Sequence, residues 1–161
     1  MLTSPLRRSA DVGRWLARWG WRHRLDARLL ELDFGDWDGG EWTAIAAARI
    51  DAWCADFASH RPGGGESVAA LLERCAAFIA EAPAACVVGH AGWINAALWL
   101  ERAGGALPEA AAWPHAVGYG TRVELTRAWY RAADPAASAS SPAGSACSTP
   151  TTRRGSCRSM R

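Results

Sequence analysis

The 161-residue sequence contains no lysine; all 18 of its basic side chains are arginine. That absence excludes lysine Schiff-base catalysis and the lysine-bearing phosphate loop of P-loop enzymes. Net charge is nearly absent too: at +2 it is too small to argue for a nucleic-acid partner. Long apolar runs are missing. Nothing approaches the ~20 residues of a membrane span, and the N-terminus has no signal-peptide apolar stretch. Cysteine is present in an odd, widely spread set of five without a C-x-x-C pair, which does not read as a disulfide framework. Cys54, Cys75 and Cys86 lie among apolar neighbours, where Cys acts as a small hydrophobe. A reducing, cytoplasmic setting is the expectation. Histidine pairs with metal-site spacing, a G-x-S-x-G elbow and a G-x-G-x-x-G loop are all lacking. The sequence therefore offers no motif for a metal, a serine nucleophile or a dinucleotide, and no cofactor is expected.

Composition divides the chain near Tyr130. From Arg131 to Arg161 there is no Val, Ile, Leu, Phe, Tyr or Trp. A segment so poor in apolar surface cannot offset its ordering entropy, so 131–161 is expected to be a disordered low-complexity tail behind a domain at 1–130. Within the domain, Ser4-Pro5 suits a helix start, and Leu6, Val12, Leu16 and Trp19 follow at near-helical spacing up to Gly20. Leu29 to Phe34 is short, apolar and strand-like. A helix is expected around Trp42 to Phe57. Gly63-Gly64-Gly65 is a turn before the clearest helix, striped by Val68, Leu71, Leu72, Cys75, Phe78 and Ile79 and bounded by Pro83. Ala85 to Val88 reads as a strand buried on both faces, Trp93 to Leu100 as a helix, and Val123 and Leu125 as part of a last strand. Helices alternating with short strands predict an α/β domain.

Three residues have the best chemical context. His90 follows the buried-strand pattern and precedes Ala91-Gly92 and a helix, so small residues and a positive helix end face one point. Arg8 sits early in the first helix, where a guanidinium can clamp phosphate bidentately. Glu31 lies inside the apolar run at 29–34, where desolvation favours the protonated form that a general acid needs. A two-carboxylate glycosidase lacks a second buried acid to go with it. His23, His60 and His115, in loop-like or polar surroundings, are expected to be solvated.

In order and spacing these segments resemble the histidine phosphatase superfamily, the phosphoglycerate-mutase-like phosphatases. Thr3-Ser4-Pro5-Leu6-Arg7-Arg8-Ser9-Ala10 is similar to its S-P-L-x-R-A segment. Leu30-Glu31-Leu32-Asp33-Phe34-Gly35-Asp36-Trp37-Asp38-Gly39 is similar to L-x-E-x-x-F-G-x-W-E-G, and Val87-Val88-Gly89-His90-Ala91-Gly92 to V-V-T-H-x-G. The resemblance implies a three-layer α/β/α domain. It also makes Arg8, His90 and the backbone at Ala91 the phosphate binders, with Glu31 the proton donor. A small-molecule phosphate ester is the implied partner, hydrolysed without a metal through a phosphohistidine.

Asp33 to Gly39, with Trp42, Ile45, Asp51-Ala52-Trp53 and Pro62-Gly63-Gly64-Gly65-Glu66-Ser67, is similar more narrowly to α-ribazole phosphatases of cobalamin synthesis. The departures are Gly89 for Thr, Asp38 for Glu, Asn95 for Arg and, above all, the lack of R-H-G, whose His is the family's nucleophile. The chain is thus expected to be truncated at the N-terminus, without the first strand and helix. It is expected to be inactive as it stands, or else a non-catalytic phosphate-binding remnant. Losing a central strand beside the one that ends at His90 would leave an unpaired internal edge.

Overall fold

The computed structural model describes residues 1–82 and 86–126. Pro83, Ala85 and the tail from 131 lie outside the described residues, as does the domain boundary near 130. Three short parallel strands, β1 (Leu2–Thr3), β2 (Arg24–Leu25) and β3 (Val87–Val88), form one sheet in the order β2-β1-β3. Four helices accompany it: α1 (Arg7–Ala17), α2 (Ala47–Ala55), α3 (Val68–Glu81) and α4 (Ala91–Ala103). This is the mixed α/β fold that the sequence led us to expect.

The strand order bears on the expected loss of a strand beside the one that ends at His90. β1 pairs directly with β3, in the register Leu2 to Val87 and Thr3 to Val88. Leu2 N–H donates to Cys86 O at 2.9 Å and Ser4 N–H to Val88 O at 3.3 Å. Among the described residues β3 pairs with β1 alone and ends the sheet, so its other edge has no strand beside it. Val87 and Val88 are half-buried rather than enclosed on both faces.

α1 also packs unexpectedly. It begins at Arg7, with Leu6 rather than Ser4 in the cap position, while the Ser4 hydroxyl accepts from Leu6 N–H at 3.2 Å in the turn before it. The helix lies against β1 and β3; Ser9, Ala10 and Gly13 are its buried residues, Gly13 beneath the His23 ring. Val12, Trp15 and Trp19 face outward, and Trp19 is 72% exposed. Small side chains let the helix approach the sheet closely, so the bulky periodic residues are not the buried ones.

The run at 29–34 is not a strand. A 3-10 turn at Ala27–Leu29 opens it, and Leu30 onward is irregular. The backbone carbonyls that a strand would give to a neighbour go to side chains instead. Trp93 Nε1 donates to Arg28 O at 2.8 Å, and Arg74 donates to the carbonyls of Arg28, Leu30 and Glu31. Val123 and Leu125 likewise form no strand, since no backbone ladder joins 121–126 to the sheet.

α3 and α4 were legible and form the body of the core. α3 starts at Ser67, whose hydroxyl accepts from Ala70 N–H at 3.2 Å, and it buries all six residues of its stripe. Against α4 it packs Phe78 onto Trp93, with ring centroids 5.5 Å apart and nearly perpendicular. Burial pushes the Cys75 thiol in this core up to about 12. Cys86 is free and exposed. Among the described residues, no helix is long and apolar enough to cross a membrane.

Candidate functional site

His90 occupies the N-cap of α4, directly after β3, and is only 6% exposed. Strand, cap and helix thus bring its ring to the end of the sheet, beside the start of α1. Arg8 Nε donates to His90 Nδ1 at 3.2 Å, and Ser9 Oγ lies 3.4 Å from Nε2. A guanidinium has only donors, so Nδ1 must accept and the ring proton belongs on Nε2, shared with Ser9. The ring is neutral in this arrangement. Burial holds the His90 pKa below its ordinary value, the Arg8 and Arg74 charges add to that, and the Glu31 carboxylate opposes it. Among the described residues no carboxylate forms an ion pair with Arg8. Its positive charge is therefore available to an anion at the same place as the first turn of α4, where the Ala91 N–H has no acceptor within the helix.

Glu31 reaches this site from the irregular segment. Its Oε2 accepts from Gly92 N–H at 3.2 Å and its Oε1 from Leu32 N–H at 3.0 Å. The carboxylate is half-buried at the mouth of α4, not enclosed in a strand as the apolar run suggested. Gly92 is required by contact: a Cβ there would come within 2.4 Å of Glu31 Oε1. We expect Gly92→Ala to push the carboxylate aside rather than unfold the helix. The better helix propensity of Ala offsets much of the lost bond, so urea titration should show a change within ~1 kcal/mol. The Glu31 carboxylate 13C resonance should move at the same time. A loss above ~2 kcal/mol would mean the contact belongs to the core instead.

Sequence reasoning missed Arg74, which lies in no segment that reads as chemical, and Ser9, which stands within the Thr3–Ala10 motif but was given no role of its own. Arg74, on α3, holds Glu66 through Nε–Oε1 at 2.7 Å and Nη2–Oε2 at 2.8 Å. Its remaining donors reach the carbonyls of Arg28, Leu30 and Glu31 at 2.8–3.0 Å. It fixes the backbone that carries Glu31. His23 was also misjudged: it is half-buried, with Nε2 2.8 Å from the hydroxyl of buried Thr3. His115 lines a cavity next to Glu31. Among the described residues, no three His, Cys, Asp or Glu side chains are grouped so as to hold a metal ion.

With Arg8, Glu31, His90 and the first turn of α4 gathered at one end of a parallel sheet, family membership can be stated. The histidine phosphatase superfamily (branch 1) model matches residues 1–138, and the chain belongs to that family. No curated protein matches the sequence. Among solved structures it is similar to a mycobacterial glucosyl-3-phosphoglycerate phosphatase, with 32% identity over 63% of this chain and 57% of that one and a TM-score of 0.50. It is also similar to a phosphoglycerate mutase from Thermus thermophilus, with 30% identity, 77% and 70% coverage and a TM-score of 0.51. A third is mycobacterial hydrolase 1, with 30% identity, 63% and 56% coverage and a TM-score of 0.52. The chain spans between 56% and 70% of the length of these three proteins.

Proposed function

We propose that this chain carries the phosphate-holding and proton-donating side of a phosphomonoesterase site. The contact between Arg8 and His90 at the start of α4 carries this reading. An entering phosphoryl dianion takes the Arg8 guanidinium, the Ala91 N–H and a protonated His90 as donors. Such preorganised donors stabilise the charge that develops during in-line transfer. Glu31, bonded to Gly92 N–H at the edge of the cradle, gives its proton to the leaving oxygen as the P–O bond breaks.

The family's attacking histidine belongs to an R-H-G sequence, and this chain contains none. That observation favours a second reading for the chain as it stands, a phosphate-binding form without turnover. For the ester itself we propose α-ribazole 5′-phosphate, on the resemblance of 33–39 and 62–67 to the phosphatases of cobalamin synthesis. The solved relatives are named for other activities, so substrate choice needs its own measurement.

The test combines calorimetric titration of the chain with inorganic phosphate and an assay of p-nitrophenyl phosphate hydrolysis. Phosphate binding that Arg8→Ala removes, without turnover, is the expected result. Hydrolysis abolished by His90→Ala would overturn the non-catalytic form and leave the esterase reading standing. Failure of the folded chain to bind phosphate at all would overturn the site.

A further inference from the structure

α1 and the turn that leads from it to β2 leave a row of large apolar side chains in solvent. Val12, Trp15, Trp19, Trp21 and Leu25 are all exposed, Trp15 by 56% and Trp21 by 50%. Val12, Trp15 and Trp19 recur three and four residues apart, which sets them on one side of the helix. The residues that α1 buries, Ser9, Ala10 and Gly13, are not among them. The Trp15 and Trp19 rings lean on each other, with centroids 5.6 Å and planes 43° apart. A single exposed apolar side chain is ordinary, but five gathered on one short segment mark a contact surface.

Positive charge gathers on the same segment. Arg7, Arg14, Arg18, Arg22 and Arg24 are exposed, and Asp11 is the only carboxylate from Arg7 to Leu25. The chain as a whole carries only +2, so this charge is local. Asp11 pairs with Arg7 at 3.4 Å and with Arg14 at 2.7 Å. Among the described residues, Arg18, Arg22 and Arg24 form no salt bridge.

We propose that this arginine-flanked tryptophan face docks the protein on an anionic lipid surface. The indole rings enter the headgroup layer and the guanidinium groups meet lipid phosphates. Tryptophan suits that layer because its body is apolar and its N–H polar. Arginine holds phosphate through two donors while its stem lies along apolar surface. A helix so equipped lies in the plane of the bilayer surface and does not cross it. The inference stands apart from the phosphomonoesterase reading, since Arg8, which turns to His90, has no part in it.

Charge decides against a second copy of the chain, because a two-fold contact would set these arginines against themselves. Apolar content decides against a nucleic acid. Bases stack on open ring faces, and Trp15 and Trp19 lean on each other. Val12 and Leu25 have no ring to offer a base, whereas a lipid surface covers all five apolar side chains at once.

Cosedimentation of the full chain with vesicles tests the proposal, using phosphatidylcholine alone and phosphatidylcholine with about 30% phosphatidylserine. We expect binding to the anionic vesicles to be at least about 10-fold tighter, falling toward the neutral value in about 0.5 M salt. Arg18→Ala and Arg22→Ala together should weaken it roughly 20-fold. Trp19→Ala should weaken it about 10-fold, by the loss of one buried indole. Arg8→Ala should bind vesicles as the wild type does. The Trp and Arg substitutions all fall on exposed side chains, and circular dichroism checks that the variants fold.

Binding that does not distinguish the two vesicles, or that survives both the arginine pair and Trp19→Ala, overturns the proposal. So does a loss caused by Arg8→Ala, which would move lipid binding to the phosphate site. Absence of vesicle binding overturns it outright. A single-stranded oligonucleotide bound in their place, and released by Trp19→Ala, would give the face to a nucleic acid. A dimer in sedimentation velocity that Trp19→Ala dissociates would give it to a second copy.

Discussion

Arg74→Ala should cost about 3 kcal/mol of stability, the largest loss expected from removing one polar side chain of this protein. Arg74 and Glu66 are four-fifths buried, with side-chain exposures of 21% and 18%, and meet through two parallel bonds. Truncation leaves the Glu66 carboxylate without its partner and strips a donor from the carbonyls of Leu30 and Glu31. The Arg28 carbonyl is cushioned, since Trp93 Nε1 still reaches it at 2.8 Å. An uncompensated buried charge costs ~3–5 kcal/mol, and the low end applies here because both side chains retain some water contact. Urea denaturation should show this loss, together with a fall in melting temperature of roughly 10 °C. Arg74→Lys should recover less than half of it, because an ammonium cannot form a bidentate pair and also reach three carbonyls. A loss within ~1 kcal/mol for Arg74→Ala would show that the Glu31 segment holds itself in place.

The difference between what the sequence revealed and what it concealed follows from where bonds are made. α3 and α4 were readable because their helices are closed by local bonds and their apolar stripes match the helical period. His90 was placed correctly for the same reason, since strand, cap and helix are consecutive. The segment at 29–34 was misread because the carbonyls of Leu30 and Glu31 are satisfied by Arg74, more than 40 residues away. No local pattern encodes that choice. The spacing of large residues showed that α1 is a helix but not which side fits against the sheet, because close approach is decided by small residues. Ser9, Ala10 and Gly13 won by size. Ser9 also meets His90 across 81 positions, and its hydroxyl type gives no warning of that. Arg8 and Glu31 became candidates through the order of three motifs; their convergence on His90 and Gly92 is a property of the fold.

In the proposed phosphate site the neutral His90 should make anion binding depend on pH in a direction fixed by its surroundings. In the free protein, burial and then the Arg8 charge hold its pKa below the ordinary 6.5. A histidine depressed in this way binds fewer protons folded than unfolded, so its contribution to stability is complete above the unfolded value. That contribution is lost as pH falls from about 6.5 through the folded value. Acidifying the free protein across this window should therefore lower its melting temperature, and His90→Asn should flatten that slope.

A bound dianion reverses the balance, because it engages Arg8 and favours the charged ring. Binding then takes up about one proton, and affinity for sulfate, whose own charge is constant here, should weaken up to about tenfold per pH unit as pH rises through the window. Arg8→Ala should reduce sulfate affinity by roughly 30-fold at pH 6, the loss of one charge-assisted donor. His90→Asn should still bind sulfate but without the pH slope. An NMR titration of the His90 ring in the absence of anion checks the premise directly. A free value above 6.5, or a wild-type sulfate affinity independent of pH, would remove His90 from the phosphate cradle and leave Arg8 and the first turn of α4 to hold the anion alone.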